Sequence, residues 1–264
     1  AGDLSLAFDV LAGPSPFDAS QWRLNLPADG RSNLSQFKVA LMLGDAEAPV
    51  DQAYLDALAH FAEQLEAAGA TVIRDRLPEI DSAAHFTLYL KMLGAALSLG
   101  MTEAEALAAQ APYKDAPADV QRVGGTRFSG MLVSHREWLA LDNQRRIARR
   151  AFDAFFKDVD VILCPVASSA AFVKDEAGLR SFRRFPVNGV DQLENTQLFW
   201  SGYSGVTGIP SVVGPMAQIG GLPVGYQAIC GHGRDHSCLA FARAVEREIV
   251  GYAPPPLLAE HGIT

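Results

Sequence analysis

Leu4, Leu6, Ala7, Val10 and Leu11 recur at helical spacing and stop at Gly13-Pro14, so the chain opens on a helix. "KVALML" (38 to 43) is a short apolar run between polar loops, the pattern of a buried strand. Tyr54, Leu55, Leu58, Phe61, Ala62 and Leu65 then line one face of a helix. Asp51 is expected to cap that helix, Val50 and Leu55 to staple it, and Gly69 to stop it. "TVIRDRL" (71 to 77) reads as the next strand, which makes a βαβ unit with parallel pairing and a right-handed crossover.

The middle third reads as helical. Asp81 opens a helix with Phe86, Leu90, Leu93 and Leu97 on one face, and Thr102 with Glu105 forms a capping box for a shorter one. A second box, Ser134 and Glu137, starts a long helix to Lys157 that turns Trp138, Leu141, Ala148, Phe152 and Phe155 inward. "VDVILCPVA" (159 to 167) is a strand whose pairing Pro165 ends. A loop follows from 166 to 190, carrying Phe172, Lys174, Asp175, Phe182 and Phe185; loops of this length serve as lids or partner-binding segments. Asp191 is expected to open a helix through "QLENTQLFWSGYSG". "SVVGPM" and "PVGYQAIC" come next as strands joined by the hairpin-like "AQIGGL", and a last helix follows "GHGRD" (231 to 235), with Asp235 as its expected cap.

These elements alternate as in an α/β protein, with a mixed, largely parallel sheet flanked by helices. No repeat or low-complexity linker divides residues 1–264, so a single domain is expected. The composition, 49% hydrophobic and 20% charged, supports a sizeable core. A net charge of −8 argues against a nucleic-acid binder, because phosphate binding needs a basic surface. Arg145, Arg146, Arg149 and Arg150 therefore read as a solvated or salt-bridged helix face. Three cysteines without a CxxC fit a reducing, cytoplasmic compartment. No apolar run has the length of a membrane span.

Strand, glycine turn and helix is also how nucleotide-binding folds hold phosphate. In "GHGRD", however, His236 takes the third glycine position, and the acidic residue expected after a second strand is missing. Cys230, His232, His236 and Cys238 crowd into nine residues, too few for one strand-turn-helix to wrap around a structural zinc. No cofactor and no metal are expected. Ser35-Gln36-Phe37-Lys38 has the form Ser-x-x-Lys but lies in a polar loop entering a strand, and "GYSG" (202 to 205) lacks the spacing of a nucleophile elbow. Residue types and spacing alone assemble no active site.

Five segments carry a resemblance: "AGDLSLAFDVLAGPSPFD", "LEAAGATVIRDRLP", "DVDVILCPVASSAAF", "TGIPSVVGPMAQIGGLPVGYQAI" and "GRDHSCLAFARAVE". In this order the chain resembles the C-terminal half of an amidase signature enzyme. The resemblance implies an amide hydrolase using a Ser-cis-Ser-Lys triad, with an acyl-enzyme and an oxyanion held by a glycine-rich loop. Those motifs are expected upstream of Ala1, so no catalytic residue is carried over; the chain starts inside a helical pattern and without Met, as a piece of a longer protein would. Gly205 stands where the family often has asparagine. By position, Val166, Trp200, Tyr203, Thr207 and Ile209 would line one wall of an acyl pocket for a small amide substrate. A lone half is expected to expose strand edges and to self-associate as a homo-oligomer. Two other readings stay open: a non-catalytic binding module using Gly231 to Asp235, and a component of an amidotransferase that works on aminoacyl-tRNA.

Overall fold

The computed structural model describes residues 1–254. Its centre is a five-stranded sheet in the order β2-β1-β3-β7-β6, made of β1 (Lys38–Leu41), β2 (Thr71–Ile73), β3 (Val161–Pro165), β6 (Ser211–Ile219) and β7 (Leu222–Ile229). β1 pairs parallel with both β2 and β3, whereas β7 runs antiparallel to β3 and to β6. Four of the five strands thus share one direction, and β7 opposes them. The fold class expected from the pattern is the one observed.

Val39, Ala40 and Leu41 of β1 and all five residues of β3 follow from uninterrupted apolar runs, and β3 is buried throughout, as a strand covered on both faces must be. α2 (Gln52–Ala67) packs Tyr54, Leu58, Phe61, Ala62 and Leu65 against the sheet. α9 (Asp235–Glu248) covers it with Phe241 and its neighbours, and α1 (Gly2–Leu11) lies on α9. A helical layer comprises α3 (Ser82–Leu97), α4 (Glu103–Gln110), the single turns α5 (Ala118–Val120) and α6 (Thr126–Ser129), α7 (His135–Phe155) and α8 (Leu198–Gly205). One contiguous buried cluster joins the sheet to these layers, from Leu34 to Val245.

Both capping boxes form: the Thr102 and Ser134 hydroxyls accept from the backbone of Glu105 and Glu137. Asp81 caps α3 as expected, accepting from the Ala84 amide at 3.0 Å. The long helix ends at Phe155, and Leu141, Phe152 and Phe155 are its buried residues. Asp142 pairs with Arg145 and Arg146, so these two arginines are the salt-bridged face that the acidic composition predicts.

Several expectations are corrected. The strand after α2 stops at Ile73, because Arg74 turns back to an ion pair with Glu66 on α2. Leu97 is 56% exposed, while His85, Leu88 and Met92 are buried; α3 is covered from more than one side, so no single stripe describes it. Asp51 does not cap α2. Its carboxylate accepts from the Asn188 amide at 2.6 Å, and the Asn188 side chain accepts from the Gln52 amide at 2.8 Å, so the cap comes from a distant turn. That turn also overturns the helix predicted from Asp191. Residues 184–193 form a hairpin, β4 (Arg184–Val187) and β5 (Val190–Leu193), around Asn188 (φ 51°) and Gly189 (φ 75°). Two positive φ values in a two-residue turn match the twist of the flanking strands. The helix begins only at Leu198, after a 3₁₀ turn over Glu194–Gln197. Asp235 is the first residue of α9 rather than its cap, and makes no capping hydrogen bond.

Candidate functional site

In an open α/β sheet, ligands bind outside the carboxyl ends of the strands. At that end of β3 the chain leaves Pro165 into Val166 and Ala167 and forms a groove of about 490 Å³ with the β6–β7 hairpin. Val166, Ala170, Val213, Pro215, Pro223 and Val224 make its walls largely apolar. Tyr54 of α2 fixes the floor. Its hydroxyl donates to the Gly225 carbonyl at 2.6 Å and accepts from the Val166 amide at 3.3 Å, tying β7 to the exit of β3. Burial pushes the Tyr54 phenol up, against the bonds to Val166 and Gly225. Glycine is required at 225: a Cβ there would come within 2.7 Å of the Gly214 carbonyl oxygen. The loop is anchored behind the groove, where the Ser168 carbonyl accepts from the Asp51 amide at 2.8 Å. Ser168 is fully buried and its hydroxyl has no partner among the described residues.

This groove can hold an apolar group but offers little reactive chemistry. The Cys164 thiol is buried in β3, and burial raises its pKa far above neutrality, so it stays protonated. Ser169 donates its hydroxyl to the neighbouring Ala170 carbonyl at 2.8 Å and faces no base among the described residues. Ser35 and Lys38 are exposed and share no hydrogen bond among the described residues, so the Ser-x-x-Lys pattern is not an assembled pair.

The opposite end of the sheet holds the glycine turn. Arg31 grips Asp29 through Nε (3.0 Å) and Nη2 (2.6 Å), and reaches Asp160 with Nη1 at 2.7 Å. Asp160 also accepts from the Lys38 amide at 2.9 Å. Burial opposes ionisation of Asp29, but hydrogen bonds from Arg31 and Ser237 hold its carboxyl down at about 2. Gly233 has φ 71°, and a Cβ at Gly231 would come within 3.1 Å of the Phe156 side chain, so the two glycines suit the turn and its packing. Cys230 and Cys238 are buried, the Cys238 thiol donates to the Ala228 and Pro210 carbonyls, and His236 lies edge-on to Phe8. His232 is exposed, and no metal-ligand cluster forms among the described residues.

Of the five residues singled out for a pocket wall, the structure brings only Val166 to the groove. Trp200, Tyr203, Thr207 and Ile209 are at most 5% exposed. Trp200 and Tyr203 belong to an aromatic cluster with Phe199, and Tyr203 also packs on Phe152 and His85. The Thr207 hydroxyl donates to the Ser204 carbonyl, and its own carbonyl accepts from Arg149 at 2.7 Å. Of these four, Trp200 is tied to the strand that borders the groove: Gln227 of β7 donates to its carbonyl at 3.3 Å. Sequence reasoning missed Tyr54 and Gly225. The available signal was glycine inside a strand, which marks close backbone approach. It also missed His85, which is buried and bonded through Nε2 to the Tyr203 carbonyl at 3.1 Å, and whose pKa desolvation pushes down against that bond.

No helix among the described residues is long and apolar enough to cross a membrane. The chain is 25% identical over 252 residues to an indoleacetamide hydrolase of Bradyrhizobium japonicum, an alignment covering 93% of this chain and 50% of that protein. It is 29% identical over 249 residues to the A subunit of the glutamyl-tRNA(Gln) amidotransferase of Synechococcus sp. (strain CC9605), covering 86% of this chain and 48% of that one. Among solved structures, a bacterial aryl acylamidase of the amidase signature family superposes with a TM-score of 0.67 at 21% identity, over 96% of this chain and 54% of its own. The chain therefore spans about half the length of the curated relatives it matches. The Amidase family matches residues 1–239, and the chain belongs to the amidase signature family.

Proposed function

We propose that this chain is the C-terminal part of an amide hydrolase, a single domain portion that supplies sheet, outer helices and one wall of the acyl pocket. The nucleophilic serine, its bridging serine and the lysine base lie upstream of Ala1 in this reading, and residues 1–264 alone are inactive. The observation that carries it is the groove at the carboxyl end of β3: apolar, shaped by Tyr54 and Gly225, and without an activated nucleophile or base among the described residues. Val166 supplies contact area. The buried Trp200, packed in one core with Tyr203 and Ile209, supports β7 through Gln227, and Thr207 lies buried against the Ser204 carbonyl. The substrate is a small amide with an apolar acyl group, in keeping with relatives named for indoleacetamide and aryl acylamides. The three cysteines are free and buried, which fits a reducing, cytoplasmic setting.

The test is hydrolysis of indoleacetamide and of an anilide, together with a serine-directed fluorophosphonate probe. The 264-residue chain is expected to turn over neither amide and to remain unlabelled. Stoichiometric labelling mapped to a serine of this chain, Ser35 for instance, overturns the reading. The match to an amidotransferase component favours a second reading, in which the same wall serves ammonia transfer to an aminoacyl-tRNA. In that case the net charge of −8 favours an RNA contact made by a partner polypeptide.

A further inference from the structure

A groove of about 410 Å³ opens between α3 and α7, and it shares no lining residue with the groove beside β3. Its room comes from small side chains, Ala84 of α3 with Ala148 and Ala151 of α7. Leu88 and Ile147 supply the larger apolar contacts, and Ile147 is 56% exposed. A volume of this size suits a small molecule with an apolar body.

Two polar features make it more than a gap between helices. The first is His85, which lines the groove and is 5% exposed. Its Nε2 lies 3.1 Å from the Tyr203 carbonyl, and a carbonyl only accepts, so Nε2 carries the proton. Desolvation pushes the imidazole pKa down against that bond, which favours the neutral ring. In that tautomer Nδ1 is an acceptor. Among the described residues lining the groove, it is the one buried side-chain atom left without a partner. Buried polar atoms are nearly always bonded, so this acceptor calls for a donor. Phe152 and Tyr203 pack on the ring, at 5.9 and 5.7 Å between centroids, and hold it in place. The second feature is charge. Glu79 and Asp81 line the groove just ahead of α3, both exposed, and neither is in an ion pair among the described residues. One Asp81 oxygen caps α3 through the Ala84 amide, and no lysine or arginine is in the lining among the described residues.

We propose that the α3–α7 groove binds a small aryl-alkyl ammonium ion whose ring carries a hydrogen-bond donor. The donor bonds Nδ1 of His85, the ring lies along Ala84, Leu88 and Ala148, and the ammonium meets Glu79 and Asp81. Both acids repel a carboxylate ligand, and the chain's net charge of −8 adds to that preference for a cation. A ligand without a donor leaves the buried acceptor unsatisfied. The inference goes beyond the hydrolase reading and stands whether or not the chain contributes to amide hydrolysis.

Tyramine, a phenol carrying an ethylammonium, is the probe, titrated into the 264-residue chain and followed by amide-resolved NMR. Saturable shifts are expected at Ala84, His85, Leu88, Ala148 and Ala151, with Val166 and Gly225 unmoved. Phenethylamine, which lacks the hydroxyl, should bind about fivefold more weakly. The matching hydroxyphenyl propanoate, of opposite charge, should bind about tenfold more weakly. Glu79→Gln should weaken tyramine about threefold without weakening the propanoate. Ala148→Trp, which fills the groove, should abolish the shifts, and the ligand series decides the matter even where that variant does not fold. No saturable shift with tyramine, or shifts confined to the groove beside β3, overturns the proposal. Phenethylamine binding as tightly as tyramine removes His85 from the site, and the propanoate binding as tightly removes the acids. Either result overturns the ligand class.

Discussion

The two ends of the sheet use the same strands for opposite purposes. At the amino end of β1 and β3, Arg31 bridges Asp29 and Asp160, and Asp160 also accepts from the Lys38 amide, so these charged groups are tied to one another and to the backbone. At the carboxyl end of β3, polar groups are drawn back into the backbone ties of Tyr54 and Ser168, and the surface left to solvent is apolar. Charge that is satisfied internally stabilises the fold. Apolar surface that is held rigid and left open is available for binding.

The difference can be broken from the structural side first. Arg31→Ala leaves Asp29 and Asp160 facing each other without their cation, and should cost about 2–3 kcal/mol in urea unfolding. Removing the Tyr54 hydroxyl should cost less. Tyr54→Phe strips the Gly225 carbonyl of its donor, so about 1–2 kcal/mol is expected, together with faster exchange of the Val166 amide. At the groove wall itself, Val166→Ala should change stability by under about 1 kcal/mol, since the residue is only half-buried, while reducing the binding of apolar amides.

Acid sharpens the same comparison. Asp29 has a folded-state pKa of about 2 against an ordinary 3.8, so its contribution is complete above pH 4 and is lost as pH falls towards 2. Asp29→Asn should flatten that limb of the stability profile, and Tyr54→Phe should leave its shape intact. An acid limb of the same slope in Asp29→Asn would mean that other carboxylates carry it.

Much of this architecture was legible in the sequence because it is written locally. The apolar runs of β1 and β3, the stripe of α2 and both capping boxes are short-range patterns, and each forms, with β1 ending at Leu41 and β3 shortened to Val161–Pro165. The β4–β5 hairpin was legible too, in Asn188-Gly189 between two valines, but the apolar spacing of the helix beyond it masked the turn signal. The site was harder to read. Tyr54 looks like any buried residue of a helix stripe, and its role exists only because Gly225, 171 positions away, offers a carbonyl. The caps at Asp51 and Asn188 are likewise long-range exchanges that no window of sequence contains. Trp200 and Tyr203 were picked for their polar edges, and the aromatic cluster that buries them is also assembled from distant segments.

One measurement separates the two ends directly. Amide-resolved NMR of the 264-residue chain, titrated in turn with indoleacetamide and with NAD, reports where each ligand sits. The account predicts that indoleacetamide shifts the Val166, Gly214 and Gly225 amides while NAD leaves Gly231, Gly233 and Asp235 in place. Saturable shifts at Gly231 to Asp235, with the groove amides unmoved by the amide, would contradict it.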